Sequence, residues 1–422
     1  MSRRILRLAV LGAAASIAVA ACSSGSGSGG GPSAPATSGS ASSPAASGTA
    51  GMASGSAATK TQVAELQAGL TNLLTEHVYD AGIALTAAVA KGGNLNDPAV
   101  KAAVSTLDAN SVALSKAVGG IYPQAEAPFL ASWRQHIGFF VNYTLGKATK
   151  NTAMADKAKK DLDGYRTSFG QLINSVVPEL PADAVAQELV PHVQSLLAAI
   201  DALVAKGPSV FAKLSAAADH MPMTAKTLTT GIAANKKLTG SIDGAAIEVR
   251  SGLTYLLTSH VDLAGVAISQ ALAKGGNLKE PSVAAAVAAL DANSVTLSKA
   301  IGGIYPQAEA PFLASWRQHI GFFVNYTLGK ATRNAAMADK AKKDLDGYRT
   351  SFGQLINSVV PQLPADAVAQ ELVPHVQSLL DAIDALVAGS PAAYGKLAVA
   401  AGHMPMTAAT LAGGIADNKM LV

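Results

Sequence analysis

The feature that most constrains the fold of this chain is a long unit that is written twice. The segment LDANSVALSKAVGGIYPQAEAPFLASWRQHIGFFVNYTLGKAT begins at Leu107, and a nearly identical segment begins at Leu290, an offset of 183 residues. The same offset aligns the flanking residues without a gap. The units run from 61 to 240 and from 244 to 422, which predicts two tandem domains of the same fold.

Each unit contains six segments with helical periodicity and none with the period-two alternation of a strand. Asp97 followed by Pro98 is a typical helix start. The predicted helices of the first unit span 61–90, 98–118, 124–149, 153–177, 182–205 and 208–237. We therefore predict an all-α protein made of two antiparallel helical bundles, each with a four-helix core and two accessory helices.

The first 22 residues have the organisation of an export signal. Arg3, Arg4 and Arg7 form a positive segment, and LAVLGAAASIAVA at 8–20 forms a short apolar one. The sequence VAAC at 19–22 then brings in Cys22, the single cysteine of the chain. This order predicts a signal peptide over 1–21.

Residues Val19, Ala20, Ala21 and Cys22 resemble the lipobox of bacterial lipoproteins. The resemblance implies cleavage before Cys22, acylation of its thiol, and anchoring to the extracytoplasmic face of a cell membrane. The alternative is an ordinary secreted protein with an unused cysteine.

Residues 22–60 are rich in Gly, Ser, Ala and Pro, so we expect a tether without a core.

The charge of the mature chain argues against nucleic acid as a partner. The chain has 32 basic and 28 acidic residues, and removal of Arg3, Arg4 and Arg7 with the signal leaves a net charge of +1. Binding to nucleic acid requires a clustered basic surface. No uninterrupted apolar run beyond the signal reaches the roughly 18 residues of a membrane-spanning helix.

All eight histidines lie in the repeats, four at matching positions in each. They are His77, His136, His192 and His220 in the first unit, and His260, His319, His375 and His403 in the second. In the first unit, the first three lie on the apolar stripes of different predicted helices, and the fourth lies at the edge of its stripe. Because a buried imidazole needs polar partners, four in one bundle core predict a shared metal ion or a hydrogen-bonded network.

In both repeats the last histidine is the first residue of the sequence HMPMT. It adds thioether groups near the site, and a glutamate lies one helical turn before the third histidine of each repeat. The expected additional ligands are Met221, Met223, Met404, Met406, Glu188 and Glu371. Pro191 and Pro222 are expected to kink their helices and turn the histidines inward.

The ligand set favours copper, because imidazole and thioether both bind it. Zinc, iron and haem held by two histidines remain alternatives. The Glu-x-x-His pairs of di-iron bundles and the His-Glu-x-x-His motif of zinc proteases are both absent. We therefore predict one metal site per repeat, for capture, storage or delivery of the metal.

Two other classes of function stay open. The first is a cell-envelope interaction or spacer lipoprotein, with an unknown protein partner, in which the core histidines are structural. The second is a small-molecule pocket walled by His136, Trp133, Phe140 and Tyr143. Catalysis is not expected, since we find no serine–histidine–aspartate arrangement, no phosphate-binding glycine loop and no nucleophilic cysteine beyond Cys22.

Changing Cys22 to serine tests the membrane anchor. We expect Cys22→Ser to move the protein from the membrane fraction to the soluble extracytoplasmic fraction, because the thiol that carries the lipid is lost. Cell fractionation followed by immunoblotting measures this. Retention of the variant in the membrane fraction would exclude anchoring through Cys22.

Overall fold

In a computed structural model of the chain, residues 57–422 are described. They form α-helices joined by short turns, and no β-strand occurs among them. The prediction of an all-α fold with two tandem copies of a helical bundle is confirmed. The predicted signal peptide, Cys22 and the tether up to residue 56 lie outside the described residues, and independent folding of 61–240 and 244–422 stays a prediction.

Seven helices form each repeat. In the first repeat they are α1 (Gln62–Ala90), α2 (Pro98–Ile121), α3 (Glu126–Ala148), α4 (Thr152–Val176), α5 (Ala182–Val204), α6 (Val210–Ala218) and α7 (Met221–Lys236). In the second they are α8 (Ala245–Ala273), α9 (Pro281–Ile304), α10 (Glu309–Ala331), α11 (Ala335–Val359), α12 (Ala365–Val387), α13 (Ala393–Gly402) and α14 (Met404–Lys419).

Local sequence signals place the helix starts. The side chain of Asp97 accepts a hydrogen bond from the backbone N–H of Ala99, and Pro98 occupies the first turn of α2, which confirms the predicted cap. Glu280 caps α9 in the same way. Thr61 caps α1 by accepting from the backbone N–H of Ala64.

The prediction of one continuous helix over 208–237 is wrong. The chain breaks between α6 and α7, and His220 is the residue that precedes α7. Pro222 therefore lies in the first turn of a new helix and does not kink an existing one. The N–H groups in the first turn of a helix have no partner within the helix, so a proline there costs no hydrogen bond. Inside a continuous helix, the missing N–H of the proline would leave the carbonyl one turn earlier without its donor. Pro191, in contrast, lies inside α5 as expected.

Helix α1 is the central element of the first repeat. Consecutive helices from α1 to α6 pack against one another, and α7 returns to pack along α1. The aromatic side chains of Phe129, Trp133, Tyr165 and Phe169 fill the space between α3 and α4. The second repeat has the same arrangement around α8.

The two repeats meet along α1 and α8, and the contacts between them are reciprocal. Helix α6 packs on α9, and the matching α13 packs on α2, which is the pattern of an approximate twofold axis. Polar groups cross this interface: Thr258 donates to Asn72 at 2.7 Å, and the buried Arg250 pairs with Glu65 at 2.7 Å. The side chain of Arg250 also donates to the carbonyl of Thr59, so the last residues of the predicted tether pack on α8.

Several residues that differ between the repeats lie at this interface. Repeat 1 contributes Glu76, Tyr79 and Asp80, and repeat 2 contributes Asp262. Burial raises the pKa of Glu76 to about 7. Burial, and then the charge of Glu76, raise the pKa of Asp80 to about 8, and the same kind of environment raises that of Asp262 well above its usual range. The interface therefore holds carboxyl groups that favour the protonated form.

Among the described residues, one helix is long and apolar enough to cross a membrane, namely α8. Most of its apolar stretch, 78%, is buried inside the protein. Polar residues such as Arg250, His260 and Asp262 interrupt this helix, so it contains no uninterrupted apolar run of the length expected for a membrane span. The apolar character of α8 reflects its central position, where neighbours from both repeats surround it.

The buried carboxyl of Asp80 predicts a pH-dependent stability. The folded chain keeps this proton up to about pH 8, whereas the unfolded chain releases it near pH 3.9. The free energy of unfolding therefore falls as the pH rises from about 4 to about 8. We expect Asp80→Asn to stabilise the protein at pH 8 by up to about 5 kcal/mol and to change little at pH 4, as measured by chemical denaturation.

The matched control is Asp163→Asn, at an exposed carboxylate that pairs with Arg166 on the surface of α4. Surface pairs of this kind contribute little to stability. Equal effects of the two substitutions at pH 8, or a loss of stability in Asp80→Asn, would contradict the assignment of Asp80 as a buried, protonated group.

Candidate metal centre

Three histidines from three helices converge in the core of the second repeat. His260 lies on α8, His319 on α10 and His375 on α12, and all three side chains are buried. One ring nitrogen from each lies within 4.8 Å of the others. We call this set the repeat-2 triad. It joins residues that are far apart in sequence, as ligand sets in helical bundles do.

The closest pair in the triad has the spacing of two metal ligands. The Nε2 atoms of His260 and His319 are 3.2 Å apart. Two nitrogens bound tetrahedrally to one ion at about 2.0–2.1 Å are separated by about 3.3–3.4 Å. The third nitrogen, from His375, lies within 4.8 Å of the others and has to approach by up to about 1.4 Å to complete such a site.

The first repeat contains the matching histidines, but among the described residues three histidine ring nitrogens lie within 4.8 Å of one another only in the second repeat. The Nε2 atoms of His77 and His136 are 3.3 Å apart, and His192 lies edge-on to Phe140 nearby. Here the indole N–H of Trp133 donates to Nδ1 of His77 at 3.3 Å. A neutral imidazole that accepts at Nδ1 carries its proton on Nε2. That proton occupies the nitrogen a metal would need.

The indole of the second repeat lies in nearly the same position, with the rings of Trp316 and His260 4.8 Å apart against 4.9 Å for Trp133 and His77, but it makes no hydrogen bond. Among the described residues, Nε1 of Trp316 has no hydrogen-bond partner, and neither has Nδ1 of His260, His319 or His375. Buried polar atoms without partners are uncommon and destabilising, by about 1–3 kcal/mol each. The repeat-2 triad therefore has unmet hydrogen-bonding capacity and a free tautomer choice at His260.

The core environment keeps the triad imidazoles neutral. Burial, and next the neighbouring His375, lower the pKa of His260 to about 3, and burial lowers that of His375 to about 4. Burial also lowers the pKa of His319 well below its usual range. In the first repeat the pKa of His77 is lowered to about 3 and that of His192 to about 4. Neutral imidazole is the form that binds metal.

The fourth histidine of each repeat has a separate role. Nε2 of His220 lies 3.0 Å from the carbonyl oxygen of Glu188 and 3.1 Å from its carboxylate. The hydroxyl of Thr224 donates to the same carboxylate at 3.3 Å. His403 contacts Glu371 in the same way, at 3.4 Å from the carboxylate. The first pair attaches the break before α7 to α5. The second pair attaches the break before α14 to α12.

The predicted thioether ligands divide into two groups. Met221 and Met404 are buried, each 2% exposed, whereas Met223 and Met406 are 59% and 60% exposed. The exposed pair points away from the core and is not brought to the histidines. Glu188 and Glu371 contact His220 and His403 and are not part of the triads.

The space near the histidines is small. A void of about 10 Å³ is lined by His319, His375 and Tyr348 among others, and a second of about 30 Å³ by His375 and Met404 among others. A volume of about 10–15 Å³ holds one water-sized particle. Ligand pockets for organic molecules are about 300–1,000 Å³. The triad has room for an ion, but neither void has room for haem or another organic molecule.

The aromatic residues named as a pocket wall are core residues. Trp133 and His136 pack edge to face at 4.6 Å, and Phe140 packs on His136. The hydroxyl of Tyr143 donates to Asp201, away from the histidines. The sequence did not predict the hydrogen bond from Trp133 to His77 or the stacking of Tyr165 on His136. The three-residue spacing of Trp133 and His136 indicated only that these two side chains share one face of α3.

Comparison with known proteins gives no relative. No family model matches the chain, and no curated protein and no solved structure matches it.

The substitution His375→Leu tests whether the triad is needed for folding. Within residues 57–422 the imidazole of His375 makes no hydrogen bond, and its Nδ1 is buried without a partner. Replacing such a group by an apolar one of similar size is close to neutral. We expect His375→Leu to leave the free energy of unfolding of the metal-free protein unchanged or to raise it by about 1 kcal/mol in chemical denaturation.

His319→Leu is the matched control, because it removes the partner of His260 and leaves Nε2 of that ring unpaired. We expect this variant to lose about 1–3 kcal/mol. A large loss of stability in His375→Leu would show that its ring holds the core together.

Proposed function

We propose that this protein is a membrane-tethered, extracytoplasmic protein that captures and holds a transition-metal ion, copper in the first place, in the histidine core of its repeats. The repeat-2 triad is the tighter site. The matching set in repeat 1, His77, His136 and His192, is the weaker one.

The observation that carries this proposal is the convergence of three buried, neutral imidazoles without other partners. Their Nδ1 atoms lack hydrogen bonds, and the Nε2 atoms of His260 and His319 have the spacing of ligands to one ion. An ion bound through Nε2 of His260 and His319 would use the lone pairs of those two atoms and would leave a proton on each Nδ1. Imidazole sites of this kind suit copper and zinc.

The difference between the repeats supports unequal affinity. The bond from Trp133 fixes the proton of His77 on Nε2, so metal binding in repeat 1 has to break or rearrange that bond. His260 has no such restraint. The ring nitrogens of the repeat-2 triad also lie within 4.8 Å of one another, so metal binding in repeat 2 requires less reorganisation.

The setting of the triad suits retention of a metal more than catalysis. Its side chains are buried, and the adjoining voids admit no substrate. Location outside the cytoplasm is part of the proposal and rests on the signal-like residues 1–22. A lipid-tethered protein there would meet metal ions entering from the environment.

A structural role for the histidines is the second candidate. A neutral pair also satisfies the 3.2–3.3 Å contact, as an N–H···N hydrogen bond. The protein would then be an envelope interaction or spacer module. This role requires no metal, so metal analysis separates the two candidates.

Metal content of matched variants tests the proposed function. The full chain carrying Cys22→Ser is exposed to copper or zinc, desalted and subjected to elemental analysis. We expect one retained ion per chain at low loading and a second at higher loading. His375→Leu should remove the first ion, whereas His192→Leu should keep it.

Two outcomes would contradict the proposed metal site. Absence of retained metal from a folded chain would favour the structural role. Retention of the first ion in His375→Leu would place the site elsewhere. Circular dichroism of each variant confirms that the helical fold is intact.

A further inference from the structure

The charge around the repeat-2 triad limits which ion it can hold. This inference rests on the proposed function and concerns the same site. No carboxylate lines either of the two voids beside His375. The nearest acidic partner along α12, Glu371, is engaged with His403. Three neutral imidazoles would therefore leave the full charge of the ion uncompensated.

An uncompensated charge in an apolar core is strongly unfavourable. The solvation free energy that an ion gives up on burial rises with the square of its charge, so a divalent ion gives up about four times as much as a monovalent one of equal size. Catalytic zinc sites with three histidines keep an open position for water or hydroxide. The small, largely apolar voids here offer little room for that ligand. The site thus disfavours Zn²⁺ and Cu²⁺ relative to Cu⁺.

A soft ligand shares a void with one member of the triad, His375. Met404 is buried and lines the same void of about 30 Å³ as His375. Its unbranched side chain has three rotatable bonds and can move within such a space. Thioether sulfur binds Cu⁺ far better than it binds Zn²⁺. In repeat 1 the void of about 50 Å³ is lined by neither His192 nor Met221, so the arrangement belongs to repeat 2.

We propose that the repeat-2 triad, with the sulfur of Met404 as its fourth ligand, is a site for monovalent copper that discriminates against divalent ions. Met404 is the buried one of the two methionines in HMPMT at 403–407. Met406, two residues later, is exposed and takes no part.

Competition titrations test this assignment. The full chain carries Cys22→Ser, so that its single thiol cannot bind Cu⁺, and His192→Leu, to silence repeat 1. Cu⁺ is titrated without oxygen against the chromogenic chelator bicinchoninate, and Zn²⁺ against a chromogenic zinc chelator. We expect Cu⁺ to bind at least about 100-fold more tightly than Zn²⁺.

Met404→Leu and Met406→Leu form the matched pair. We expect Met404→Leu to weaken Cu⁺ binding about tenfold or more and to change Zn²⁺ binding less than about twofold, while Met406→Leu changes neither. Thermal melts of the metal-free variants show whether the fold is retained.

Three results would overturn the inference. Zn²⁺ binding as tight as Cu⁺ binding would refute the charge argument while leaving the proposed metal site in place. Indistinguishable behaviour of Met404→Leu and Met406→Leu would exclude the thioether ligand. Failure of the unmodified repeat-2 site to bind either ion would refute the proposed function as well.

Discussion

A contact between two neutral imidazoles in an apolar core is the constraint on which the interior of each repeat depends. It joins the first and third helices, through His77 and His136 in one repeat and His260 and His319 in the other. The aromatic side chains of α3 and α4 pack around the first pair, so the rings have no access to bulk water. Their hydrogen-bonding needs have to be met inside the core, by one another, by indole or by an ion.

The sequence predicted much of this arrangement, because helical stripes report which face of a helix is buried. It placed three of the four histidines of each repeat in the core, and it identified the cap of α2 at Asp97. It did not predict the break at His220. An alanine-rich stretch followed by Met-Pro suits either a kinked helix or the start of a new one, and the choice depends on the contact between His220 and Glu188 across 32 residues.

The interface between the repeats was also beyond sequence reasoning. Helices α1 and α8 bury side chains on nearly all faces, so no single stripe indicates which residues meet the other repeat. The substitutions that separate the repeats here include Tyr79 against Asp262, which occupy equivalent positions 183 residues apart. In the structure Tyr79 and Asp262 lie close to one another at the interface between the repeats.

The central claim is that the histidine core of the second repeat binds an ion. The most direct measurement is a crystal structure of the copper-loaded protein with anomalous diffraction recorded at the copper edge. We predict an anomalous peak about 2.0 Å from ring nitrogens of His260, His319 and His375. A copper peak only at the protein surface, with Nε2 of His260 and His319 still in direct contact, would contradict the account.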